Sequence, residues 1–383
     1  MTTAPSEHST DYLAAFESFQ LYDLRAGRVV RGRIRRELAE DSERLAAALA
    51  AMPGPCRVER LDGRVYATLR IVRGREPRRL ALHAALLALT AVTALAAGAD
   101  LSSRRPKGEA FRPFEFAIDS AARVLDGDAA ALGDRLAAFL HEMQRGVPYA
   151  AALLFVLLAH ETGHSLAARR HGVDATLPFV LPAPILFGTF GAVIRMRSPI
   201  PHRRALFDIG VAGPLAGLTA SVAVCLVGLS MSRYTHGAGS ALGPIVLSHS
   251  PLFRACAWVA LGPPGRDAGI ALHPVAIAGW FGMLMTFLNL VPLGQLDGGH
   301  VAYAVAGRRC RWVYAAALGA LIVLGFGFPG WLMLALVVLV LMRFEHPPVM
   351  DESVSLGWGR RAVAVGLAAA FAAMFLAQPV VVR

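Results

Sequence analysis

Charge is scarce in this sequence, and acidic charge more so: 17% of the 383 residues are Asp, Glu, Lys or Arg, with 27 acidic against 38 basic side chains. A soluble domain normally carries about a quarter charged residues, so an ordinary water-soluble globule is excluded first. Cysteine is also sparse. Cys56, Cys225, Cys256 and Cys310 lie far apart with no C-x-x-C spacing, which excludes a disulfide framework. The opening MTTAPSEHSTDYL lacks a basic stretch followed by an apolar one, so no cleavable leader is expected and the N-terminus is predicted to lie in the cytoplasm. The net charge of +11 is not accompanied by aromatic residues interleaved with basic ones, and a nucleic-acid partner is not expected.

What the chain has instead is apolar residues, 55% of the total, with a mean hydropathy of +0.50. They are gathered into runs near the ~20 residues that cross a bilayer as a helix. Runs at about 80–98, 147–169, 206–231, 274–291, 312–327, 330–343 and 360–378 predict about seven transmembrane helices. Gly325, Gly327, Pro329 and Gly330 interrupt the fifth and sixth, which can instead form one tight helical hairpin. Arginines mark the cytoplasmic side: Arg73, Arg75, Arg78 and Arg79, then Arg169, Arg170, Arg195, Arg197, Arg203 and Arg204. Arg308, Arg309, Arg311, Arg343, Arg360 and Arg361 fall on the same predicted side, and segments 99–146 and 232–273 on the other.

Two stretches are not membrane helices. Residues 1–79 are polar enough to be soluble; Leu38, Leu45, Leu49 and Met52 recur at helical spacing, and a hairpin turns at Asp62-Gly63 with Val65, Ala67, Leu69 and Ile71 alternating. They predict a small cytoplasmic α+β domain ahead of a membrane domain at 80–383. The loop 171–205 is apolar but broken by Pro178, Pro182, Pro184, Gly188 and Gly191. Such backbone is tolerated at membrane depth only where protein buries it or a wet cavity receives it, so a membrane-associated β element is expected. The predicted fold class is therefore a predominantly α-helical polytopic membrane protein with that β element and the N-terminal α+β domain.

Inside the second run stands LLFVLLAHETGHSLAARR. His160 and His164, four apart, share a helical face and can reach one Zn²⁺, with Glu161 beside them to hold water. Ionisable groups at the centre of a membrane helix cost ~2.5–3.5 kcal/mol on insertion scales and mark function. The bland alternative is interhelical hydrogen bonding by the histidines. A catalytic zinc takes three protein ligands and keeps one position open, so a third must come from elsewhere. In WFGMLMTFLNLVPLGQLDGGHVAYAV, Pro292 and Gly294 break a helix and let Asp297 project into the bundle at the start of the next; a plain cap or Asp-Gly turn is the alternative.

HETGH in one apolar helix and NLVPLGQLDGG in a later one resemble the site-2 protease family of intramembrane zinc metalloproteases. The resemblance covers about 147–310, includes LPFVLPAPI, FGTFGAVIRM and FDIGVAGPLAG, and is nearest the bacterial and plastid branch without an inserted PDZ domain. It implies one catalytic Zn²⁺ held by His160, His164 and Asp297, with Glu161 as general base. It further implies that Asn289 holds the substrate strand or the developing oxyanion, that transmembrane proteins in the lipid bilayer are the substrates, and that helices at 312–378 follow the protease core. A bacterial inner membrane is the expected setting. A zinc transporter would show broken helices in corresponding halves, and a non-catalytic scaffold would have lost Glu161 or a ligand; neither signature is present. His300 is expected to pack rather than ligate, His346, Asp351 and Glu352 to serve turn chemistry, and Gly213 and Gly217 to allow close helix packing.

Overall fold

In the computed structural model the described residues are all but 1–9, 25–26, 73–79, 103–121, 123–131, 184–186, 237–240, 243–244, 266–267, 342–348 and 383. His346 and the arginines at 73, 75, 78, 79 and 343 thus lie outside them, as does most of the segment 99–146. The N-terminal part is a four-stranded antiparallel sheet in the order β1-β2-β4-β3, formed by β1 (Phe16–Leu24), β2 (Gly27–Ile34), β3 (Cys56–Leu61) and β4 (Arg64–Val72). Helices α1 (Arg36–Glu40) and α2 (Ser42–Ala50) cross between β2 and β3. Alternation places Val65, Ala67 and Leu69 on one face, where Leu38, Leu45, Leu49 and Met52 cover them. Asp62 and Gly63 both take positive φ, 50° and 74°, as a two-residue turn matching the strand twist requires. Both sequence expectations for this region hold.

The helical part follows as α3 (Leu80–Ser102), α4 (Leu132–Gln144), α5 (Val147–Arg170), α6 (Arg203–Ser230), α7 (Pro251–Leu261), α8 (Pro274–Leu290), α9 (Asp297–Ala306), α10 (Cys310–Gly325), α11 (Gly330–Leu341) and α12 (Trp358–Met374). Among the described residues, α3, α5 and α6 are long and apolar enough to cross a membrane. The remaining expected spans are shorter as helices: α8 has 17 residues, α10 16, α11 12 and α12 17. Helices α10 and α11 turn back on each other at Phe326–Pro329. A side chain on Gly325 would meet Leu332 at 2.3 Å, so the hairpin needs glycine at its neck.

Helix α6 is central, packed against α5, α8 and α9. Tyr149 and Leu153 of α5, Phe207 and Leu229 of α6, and Trp280 of α8 are all buried in that core, whereas Phe155, Val227, Val323, Met333 and Val365 point apolar side chains outward. The loop after α5 forms the expected β element, β5 (Phe179–Pro182) paired antiparallel with β6 (Thr189–Val193). Its outer side is held by α3: Thr90 Oγ1 donates to Val180 O at 3.2 Å and Thr93 Oγ1 to Gly188 O at 2.6 Å. The segment 232–273, for which the charge pattern predicts only a side of the membrane, contains α7 and a strand pair, β7 (Arg233–His236) with β10 (Ala268–Ala271). A three-stranded sheet, β11 (Val380–Val382), β9 (Ile245–Leu247) and β8 (Ala241–Leu242), ties the C-terminus to this side.

Candidate metal centre

His160, Glu161 and His164 sit on the inward face of α5 and are 7%, 5% and 7% exposed. Four residues advance an α-helix by just over one turn, so the two imidazoles follow one another along α6, edge to face with ring centroids 4.9 Å apart. Close approach to α6 depends on glycine. A Cβ on Gly213 would lie 2.0 Å from His164 Nε2, and one on Gly217 2.6 Å from His160 Nδ1. These glycines, expected to serve helix packing, form the wall behind both rings. Gly163 completes the fit, its missing Cβ leaving room for Ala212 O.

Helix α8 ends at Leu290, and the chain turns through Val291–Leu296 before α9 begins at Asp297. The two glycines after Asp297 make that turn possible: a Cβ on Gly298 would meet Leu290 O at 2.0 Å and one on Gly299 would meet Gly294 O at 2.3 Å. Asp297 does not cap its helix, for the N-cap position is Leu296. Its carboxylate faces α5 instead, with Oδ2 3.2 Å from His160 Nε2 and Oδ1 3.3 Å from His164 Nε2, while the two Nε2 atoms stand 3.1 Å apart. Asn289 Nδ2 lies 3.4 Å from His160 Nε2.

These separations test whether the residues fit a zinc ion. With ligand bonds of ~2.0 Å, the edge of a tetrahedron is ~3.3 Å, close to the 3.1 Å between the two Nε2 atoms and the 3.2 and 3.3 Å from each of them to one oxygen of the Asp297 carboxylate. Protonation agrees. His164 Nδ1 is 2.7 Å from Ile209 O, and a carbonyl only accepts, so the ring's proton is on Nδ1 and the Nε2 lone pair faces His160 and Asp297. Sequence reasoning did not identify Ile209, because a backbone carbonyl leaves no residue signature. The glycines were legible in principle, since Gly210, Gly213 and Gly217 recur at intervals of three and four on one face of α6.

Beside the trio opens a small cleft lined by Val156, Leu157, His160, Glu161, Ala192, Gly282, Met285, Thr286 and Asn289. Ala192 brings β6 to its edge, and Gly191, at φ 101°, lets that strand press on Met285. His300 lies one turn beyond Asp297, against Gly210, and is not in the His160–His164–Asp297 group. Asp351 bonds Ser353 as a turn residue, and Glu352 accepts from Tyr303 Oη at 2.5 Å. The four cysteines are free thiols.

Residues 148–328 match the model of Peptidase family M50. The chain is 34% identical over 233 residues to "Probable zinc metalloprotease EGY1, chloroplastic" of Oryza sativa subsp. japonica, covering 58% of this chain and 39% of the relative. It is 33% identical over 228 residues to EGY1 of Arabidopsis thaliana, with 58% and 41% covered, and 32% identical over 226 residues to EGY2 of the same plant, with 57% and 40% covered. The chain thus spans about two fifths of the length of these curated relatives. No solved structure matches. The segment carrying both motifs, residues 148–328, is thus the part of the chain that is similar to Peptidase family M50.

Proposed function

We propose that this chain is a zinc-dependent intramembrane endopeptidase that cleaves transmembrane segments of membrane proteins. The observation that carries the reading is the convergence of His160 and His164 with the carboxylate of Asp297, 137 and 133 residues distant in sequence, at separations of 3.1–3.3 Å beside Glu161. His160, His164 and Asp297 would hold one ion, leaving the cleft side open for substrate. Bound there, zinc supplies Lewis-acid polarisation of a peptide carbonyl and acidifies water.

The remaining work falls to side chains. Glu161 takes a proton from the attacking water and returns it to the leaving amine as the C–N bond breaks. Asn289, on the same cleft, donates to the substrate strand or to the oxygen that gains charge. A helical substrate is internally hydrogen-bonded and must unwind first. The edge of β6 at Ala192 is the surface on which an extended segment can pair next to Glu161. His300 stays outside the ligand set, consistent with the open position a catalytic zinc requires.

In this reading residues 1–79 form a cytoplasmic domain, residues 80–383 a membrane domain, and the seven apolar stretches cross the bilayer with the outward apolar side chains meeting lipid. The proposed setting is a bacterial inner membrane; the chloroplast in the relatives' names belongs to those proteins. A zinc transporter would need a passage through the site and a scaffold would need no Glu161. The test is Glu161→Gln. Zinc content should stay at the wild-type level while cleavage stops, and intact transmembrane proteins should accumulate in membrane proteomes of cells carrying the variant. Full proteolysis by the purified variant would overturn the assignment of the base.

A further inference from the structure

Outside the M50 match, the N-terminal sheet sits against the ends of the two helices that build the metal centre. The contact is made mainly by β3 and the turn after it. Arg57 and Glu59 are two apart on β3 and so share one face of the strand. Arg57 reaches the C-terminus of α5: its guanidinium donates to Arg170 O and, at 3.4 Å, to Arg169 O, two of the carbonyls a helix end leaves without helical partners. Gly172, at φ 65°, lets it in, since a Cβ there would lie 2.8 Å from Arg57 Cδ. Arg57 Nε in turn stands 3.2 Å from Glu59 Oε1. Glu59 Oε2 lies 3.0 Å from Nε2 of His202, the N-cap of α6, whose Nδ1 accepts from Ala205 N–H at 3.0 Å.

An unbroken line of hydrogen bonds and one ion pair therefore runs from the end of α5 through Arg57, Glu59 and His202 to the start of α6. On either side of it the sheet is pinned by Arg70 to Asp174 at 2.7 Å and by Asp62 to Arg204 at 2.7 Å. The ends it joins belong to the helices whose alignment matters most. Helix α5 carries His160 and His164, and α6 supplies the Ile209 carbonyl and the bare faces of Gly213 and Gly217 against which those rings rest.

We propose that Arg57 and Glu59 are positioning residues for the metal centre, a clamp from the N-terminal sheet that holds α5 and α6 in register from their shared end. Neither touches the site. They act through the two helix ends, and the proposal rests on the zinc reading given above. The clamp is serial, so losing either arm opens it.

The test uses the purified full-length chain with zinc alone as the probe. Zinc affinity is read by chelator competition, and hydrogen exchange is followed in peptides covering 160–172 and 203–212. Arg57→Ala and Glu59→Gln are each expected to loosen zinc by roughly 3- to 10-fold, less than the ~10- to 100-fold of a partner bonded to a ligand, and to speed exchange at both helix ends. The double variant should be no worse than the poorer single one, as members of one network are non-additive. Arg57→Lys should recover part of the loss, since an ammonium can bond the carbonyls but not span to Glu59; it also carries the comparison if the alanine variant does not fold. Arg36→Ala, at an exposed ion pair within α1, should change neither readout. Wild-type zinc affinity and exchange at both helix ends in the Arg57 and Glu59 variants would overturn the clamp alone. A wild-type chain that takes up no zinc would overturn the metal centre, and with it the clamp as its positioning device.

Discussion

Two clusters in this molecule look alike on paper. His160, His164 and Asp297 bring ligand atoms within 4.8 Å of one another, and so do Glu59, His171 and His202. What separates them is the partner of the far ring nitrogen. His164 Nδ1 faces the carbonyl of Ile209, which can only accept, so Nε2 is left with a lone pair for a metal. His202 Nδ1 faces the amide of Ala205, which can only donate, so Nε2 must carry the proton and give it to Glu59. Two histidines and a carboxylate within the same 4.8 Å thus suit a ligand set in one place and a hydrogen-bonded brace in the other. His171 Nε2 is 2.9 Å from Asp208, itself held by Nε and a terminal nitrogen of Arg360.

The sharpest way to break this comparison is Asp297→Asn. The amide is nearly isosteric and caps helices as well as Asp, so a structural Asp297 would tolerate it. As the third ligand it would not. Zinc affinity and proteolysis should fall by at least the ~100-fold seen when strong partners of metal ligands are lost, with insertion and yield unchanged. Normal zinc and turnover in that variant would move the ligand elsewhere, His300 being the next residue to test.

Next in size is Gly213→Ala. Helix propensity alone predicts about 1 kcal/mol of stabilisation. Steric contact predicts the reverse, because the methyl would stand 2.0 Å from His164 Nε2. Zinc should weaken by ~10-fold or more through displacement of that ring. Chelator titration that finds unchanged affinity would mean that α6 does not set the ring's position.

A third measurement addresses the second cluster itself. Elemental analysis at saturating zinc should find one ion per chain, and the same number in His202→Ala, which should instead lose about 1 kcal/mol of stability with the N-cap. Two ions in the wild type and one in the variant would make the brace a metal site after all.

The smallest effect expected is a pH dependence of the contact between the sheet and the helices. The His202 and Arg57 partners, with Arg31 close by, hold Glu59 at about 2, below its ordinary 4.5, against the opposing effect of burial. Burial, with Arg31 and His171 nearby, pushes His202 below its ordinary 6.5 despite Glu59. Both shifts are depressions on docking. The His202 contribution is thus full above 6.5 and declines as pH falls through its lowered value; that of Glu59 is full above 4.5 and is lost towards 2. Hydrogen exchange at 167–176 should be steady from pH 8 to 7, after correction for the intrinsic rate, and faster below about 6. Slower corrected exchange in acid would reverse the sign.

Much of the metal centre was legible because its parts are local. Helical spacing puts His160 and His164 on one face, and the Pro292–Gly294 break in an apolar run announces a turn that delivers Asp297. The Asp62-Gly63 hairpin was legible for the same reason, since turn chemistry acts over two residues. Helix lengths were less so. Apolar runs became helices of 12 to 28 residues, the longer of these two the less hydrophobic, because packing and caps rather than composition end a helix. The strands within 232–273 were missed because β9 pairs with β11, more than 130 residues later, and such a pairing leaves no local period.

By itself, then, the sequence determined the apolar segments, the N-terminal hairpin and the identity of the residues with zinc chemistry, all of which depend on neighbours within a few positions. Only the tertiary structure decided which of two histidine–carboxylate clusters presents lone pairs, since that depends on whether a distant backbone offers a carbonyl or an amide to the other ring nitrogen. It also decided that Arg57 and Glu59 meet the ends of α5 and α6. Contacts across more than 100 residues are selected by the packing of whole faces, and no short window of sequence contains them.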